Sequence, residues 1–123
     1  MKSSKLLVLI ILIGFLLRFV NIANNPLSLY GDELTMVYDS YSLLLSGKDQ
    51  PGQDYPLTFA MGAGRPAGYV YGSIPFVFIF GPTALGIRSL SILSGVLIIV
   101  LLFYIGKKLF SEKIGLAAAA LGA

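Results

Sequence analysis

Residues 85–105 form an apolar run of twenty-one residues in which Arg88 is the one charge. At about 1.5 Å rise per residue, a helix of that length reaches across a ~30 Å hydrocarbon core. A second run starts after the short basic segment Met1-Lys2-Ser3-Ser4-Lys5 and occupies residues 6–23, eighteen positions, near the lower limit for a spanning helix. A signal peptide would share this basic-then-apolar order, but no small-x-small cleavage site follows Leu17, and Asn24-Asn25-Pro26 reads as a helix stop. A third apolar segment begins at residue 114 and covers only ten positions, so the chain is expected to be the amino-terminal part of a longer polytopic protein. Composition agrees: 56% of residues are hydrophobic and 12% charged, against about a quarter charged in soluble domains. The expected fold class is an all-α, polytopic membrane protein with two full transmembrane helices, a large external loop and a truncated third helix.

Lysine placement sets the expected orientation. With Lys2 and Lys5 on the cytoplasmic side, one crossing puts residues 24–84 outside, and a second returns Lys107, Lys108 and Lys113 to the cytoplasm. The apolar stretch 69–80 is too short to cross, contains Gly72 and Pro75, and ends in Gly81-Pro82. A crossing there would also strand the lysine cluster outside, so it is expected to lie at the outer interface. Within the loop, Leu34, Val37, Tyr38, Tyr41, Leu44 and Leu45 fall at helical spacing, opposite Glu33, Thr35, Asp39, Ser40 and Ser42. This predicts an interfacial helix over 32–46, ended by Gly47 at the C′ position.

That helix opens on Asp32-Glu33, two carboxylates beside a bilayer, where charge is costly. The chain has no histidine and no cysteine, which removes the imidazole base, the thiolate metal site and the disulfide framework. Acid–base chemistry must rest on Asp, Glu, Lys, Tyr or Arg. The net charge of +3 is dispersed or flanks apolar runs, with no basic stripe, which argues against a nucleic-acid partner. Each candidate also has a plain structural role. Asp32 would serve as an N-cap, with Glu33 favoured by the helix dipole. Arg65 would be a solvated or lipid-phosphate-binding loop residue. Arg88 would be an interfacial anchor or salt-bridge partner, and Tyr69 and Tyr71 part of an aromatic belt.

The order of features resembles the amino-terminal part of the GT-C glycosyltransferases, in the group holding the protein O-mannosyltransferases and the lipid A aminoarabinose transferases. The resemblance rests on Leu17-Arg18-Phe19, Asp32-Glu33, Ser46-Gly47, Gly64-Arg65-Pro66, Phe80-Gly81, Ile87-Arg88-Ser89-Leu90-Ser91 and Gly106-Lys107-Lys108-Leu109-Phe110-Ser111. It implies an inverting membrane enzyme, multi-pass in a bacterial or archaeal cell membrane with the active-site loop outside. Such an enzyme moves a sugar from a polyprenyl-phosphate donor to a lipid, glycan or protein acceptor. It further implies Asp32 as the catalytic carboxylate with Glu33 as its partner, and Arg65, Arg88 and Tyr69 as substrate-binding residues. No metal-ligand set is visible, and the resemblance leaves the cofactor open. Gly64 stands where the aminoarabinose branch has an acidic residue, and Ala67 where it often has proline, which argues against that sugar. The rival classes are a small noncatalytic membrane subunit, whose acidic loop contacts a partner, and a transporter fragment. The latter would need intramembrane polar pathways, whereas Arg88 lies near the end of its span.

Overall fold

The computed structural model describes residues 2–22, 24, 28–59 and 64–123. The chain is mostly helical, in the order α1 (Lys2–Phe19), α2 (Gly31–Ser46), β1 (Thr58–Phe59), β2 (Arg65–Pro66), α3 (Gly68–Phe80), α4 (Ala84–Leu109) and α5 (Glu112–Gly122). Among the described residues one helix, α4, is long and apolar enough to cross a membrane. The expected first span over 6–23 is not one helix. α1 ends at Phe19, and Asn21 follows at φ 62, a left-handed conformation that asparagine tolerates at helix ends; Ala23 lies outside the described residues. The chain divides into two compact units, residues 1–20 with 91–123, and residues 21–90.

In the first unit, Ile99 and Phe103 of α4 pack with Ala119 of α5, and Leu7, Ile10, Ile11 and Leu116 close around them. Small residues allow the approach of α4 and α5: a Cβ on Gly106 would stand 2.8 Å from the Gly115 Cα, so neither position accepts a side chain without separating the helices. Ser111 caps α5, its hydroxyl accepting from the Ile114 N–H at 3.4 Å. Arg18 donates to the carbonyls of Gly14, Gly122 and Ala123 at 3.0, 2.7 and 2.6 Å. Leu9, Leu12, Leu16, Leu97, Ile98, Leu101 and Ile105 are exposed.

In the second unit α2 lies against α3. Ser40 is fully buried, and its hydroxyl meets the Ser73 hydroxyl at 2.8 Å and the Val70 carbonyl at 3.0 Å. Apolar side chains fill both sides of this clasp: Val37 with Val77 and Ile87, and Leu43 with Phe59 and Val70. The buried stripe of α2 is therefore not the one hydrophobic spacing picks out. Val37, Asp39, Ser40 and Leu43 are inside, while Leu34, Tyr38 and Leu45 are exposed. The cause is α3, whose Ser73 and Val70 carbonyl offer hydrogen bonds that only the Ser40 side of α2 can use; a buried hydroxyl needs such partners. Gly47 ends α2 as expected, at φ 72, with its N–H on the Leu43 carbonyl at 2.9 Å. The two-residue ladder of β1 and β2, with Phe59 opposite Arg65, had no signal in the sequence pattern.

Candidate functional site

The start of α2 is where the chemistry of the second unit gathers. Tyr30 is the N-cap residue, extended at φ −73 and ψ 158, so Asp32 and Glu33 are the second and third residues of the helix. Both carboxylates lie where the helix dipole favours negative charge. Capping falls to Glu33, whose Oε2 reaches back to the Tyr30 N–H at 3.4 Å. The N-cap role considered for Asp32 is not the one it plays, since its carboxylate meets a guanidinium instead.

That guanidinium belongs to Arg65. The β ladder fixes Arg65 across from Phe59; its Nη2 donates to Asp32 Oδ1 at 2.7 Å, and its Nη1 to the Asp32 carbonyl at 3.1 Å and to Thr35 Oγ1 at 2.6 Å. Thr35 returns its proton to the Asp32 carbonyl at 3.0 Å. The pair is lopsided in exposure: the Asp32 side chain is 74% exposed and that of Arg65 18%. A carboxylate so held is oriented from behind and open in front.

Glu33 is placed differently. Arg88 donates Nε to Oε1 at 2.8 Å and Nη2 to Oε2 at 2.7 Å, a bidentate fork. Its Nη1 also donates to the Ile22 carbonyl at 2.7 Å and its Nη2 to the Ser28 carbonyl at 3.3 Å. Here the exposures are 28% for Glu33 and 8% for Arg88. The hydrogen bonds from Arg88 hold the Glu33 carboxyl below the usual carboxylate range, outweighing the burial that acts against them. The remaining expected binding residue, Tyr69 of α3, donates its hydroxyl to the Ile87 carbonyl at 2.8 Å. All five expected site residues thus belong to the second unit, where they form two ion pairs on adjacent carboxylates and, through Tyr69, an interhelical tie.

Two acidic residues placed by the sequence pattern on a polar face and in a loop are buried: Asp39 is 1% exposed and Asp49 2%. Burial pushes the Asp39 carboxyl above its usual range, the neighbouring Asp49 charge adding to the effect. Among the described residues no group of three or more His, Cys, Asp or Glu side chains could hold a metal ion. Thr35 and Gln50, which link the two acidic regions, were also missed; a threonine and a glutamine within polar stretches carry no distinguishing pattern. Compared with protein families, with curated proteins and with solved structures, the chain finds no match.

Proposed function

We propose that this chain is the amino-terminal part of a membrane glycosyltransferase that uses a polyprenyl-phosphate sugar donor, with Asp32 as the base and Glu33 as a structural partner of Arg88. The observation that carries the proposal is the contrast between adjacent carboxylates, one open to solvent and oriented by Arg65, the other locked by Arg88. Transfer with inversion needs a base on the acceptor side of the anomeric carbon. The acceptor O–H or N–H gives its proton to the Asp32 carboxylate as its lone pair forms the new bond to that carbon. The bond from the anomeric carbon to the phosphate oxygen breaks, and the electron pair leaves with the polyprenyl phosphate. Arg65 stands beside Asp32 to orient it and to favour a phosphate nearby.

The membrane arrangement belongs to the same proposal. α4 makes one crossing and α1 the other: the eighteen residues of α1 reach about 27 Å, close to the thickness of a hydrocarbon core. The exposed stripe of Leu34, Tyr38 and Leu45 on α2 then faces lipid, as an interfacial helix does. Cysteines placed at the exposed Gln53 and Ser111 report this topology. In intact cells an impermeant thiol reagent labels the first and not the second; labelling of both refutes the two crossings.

The function itself is tested by transfer. Detergent-purified protein that contains this chain is expected to move radiolabelled sugar from a polyprenyl-phosphate carrier into an acceptor fraction. If a panel of such donors and of lipid, glycan and protein acceptors leaves all label on the carrier, the assignment fails. The noncatalytic-subunit alternative then takes its place.

A further inference from the structure

The loop between Gly47 and Tyr55 folds around Asp49. The Asp49 N–H donates to the Gln53 carbonyl at 3.0 Å, its carbonyl accepts from the Gly52 N–H at 3.0 Å, and its Oδ1 accepts from the Gln53 N–H at 2.7 Å. Its Oδ2 is buried and has no hydrogen-bond partner among the described residues. The next residue, Gln50, donates its N–H to Asp39 Oδ1 at 3.1 Å, which brings the buried Asp39 into the same neighbourhood. An orphaned carboxylate oxygen beside a second buried carboxylate is strongly unfavourable unless an opposite charge answers it. The nearby basic residues make their hydrogen bonds elsewhere: Lys48 pairs with Asp54 at 3.1 Å, and Arg65, whose charge reaches Asp39 without bonding to it, spends both terminal nitrogens on Asp32 and Thr35.

We propose that Asp39 and Asp49 bind a divalent, oxygen-seeking cation of the Ca²⁺ or Mg²⁺ class, with Asp49 Oδ2 as the central donor. The donor chemistry is all oxygen, since the chain has no histidine or cysteine, and hard cations take carboxylates, backbone carbonyls and waters. Two carboxylates balance one divalent charge. The site has a use beyond its own charge. Gln50 Nε2 also donates to the Thr35 carbonyl at 3.1 Å, and Thr35 Oγ1 accepts from Arg65, so a cation that fixes this loop braces the residues behind Asp32. Binding at Asp39 and Asp49 is independent of the glycosyltransferase proposal and is measured without it.

The test uses protein stripped with EDTA and held in detergent at constant ionic strength. Equilibrium dialysis and melting are followed on addition of CaCl₂ or MgCl₂, with KCl as the control salt. Saturable binding of one ion per site and a higher melting temperature are expected. Asp49→Asn and Asp39→Asn, which keep size and lose charge, should each weaken binding by about tenfold or more. Glu112→Gln, an exposed carboxylate of the first unit, should leave it unchanged. Dialysis of the unaltered protein decides the matter even where a variant folds poorly. Absence of saturable binding in it, or binding that survives Asp49→Asn, overturns the proposal.

Discussion

Arg88→Ala is expected to lower stability by about 2 kcal/mol, somewhat below the scale for a fully buried ion pair that loses one partner, because Arg88 is buried and Glu33 only partly so. The loss has two sources. Glu33 keeps a desolvated charge without its fork, and the carbonyls of Ile22 and Ser28 lose their donors. Arg65→Ala, which breaks a pair whose carboxylate is largely exposed, should cost under about 1 kcal/mol. A double replacement, Glu33→Leu with Arg88→Met, should recover part of the Arg88→Ala deficit, because no orphaned charge remains. The pH dependence has a defined sign. Glu33 has a depressed folded-state value, so the pair contributes fully above the ordinary glutamate range and its contribution is lost as pH falls through the depressed value. The gap between the unaltered protein and Arg88→Ala should therefore hold at neutral pH and close only in acid. Thermal melting across pH in one detergent checks this; an Arg88→Ala protein that melts with the unaltered one at neutral pH contradicts it.

Asp32→Asn is expected to reduce turnover by roughly 10²–10⁴-fold while leaving melting almost unchanged. Asparagine keeps the shape and can still accept the Arg65 hydrogen bond, but it cannot take the acceptor's proton. The side chain is exposed and caps no backbone N–H among the described residues, so little stability depends on its charge. Asp39→Asn serves as the comparison on the same helix, two turns away. Its effects should fall on cation binding and melting, with turnover altered only through the loop that braces Thr35. Retention of normal turnover by Asp32→Asn, with donor and acceptor supplied, removes Asp32 as the base.

The helices were legible because their signals are local. Gly47 closes α2 where the turn chemistry requires it, and the boundaries of α2 and α3 lie within one residue of those the sequence suggests. The end of α1 was less visible, since the apolar residue Val20 masks a stop that Asn21 enforces with a positive φ. The buried face of α2 was misread for a different reason: periodicity ranks side chains by hydrophobicity, and the Ser40 clasp to Ser73 is a tertiary preference that outranks it. In the site, residue types were legible and pairings were not. Nothing in the adjacency of Asp32 and Glu33 tells which arginine each will meet, because Arg65 and Arg88 arrive from elements 33 and 55 residues away. The burial of Asp39 and Asp49 is likewise a property of how the loop folds back on α2.

The central claim is that the two adjacent carboxylates have divided duties, and the most direct measurement compares Asp32→Asn with Glu33→Gln for both turnover and melting temperature in one preparation series. Asp32→Asn should lose turnover and keep its melting temperature. Glu33→Gln should melt lower, yet retain most of its turnover when assayed well below that point. Loss of turnover in a fully folded Glu33→Gln protein, with Asp32→Asn active, would reverse the assignment and contradict the account.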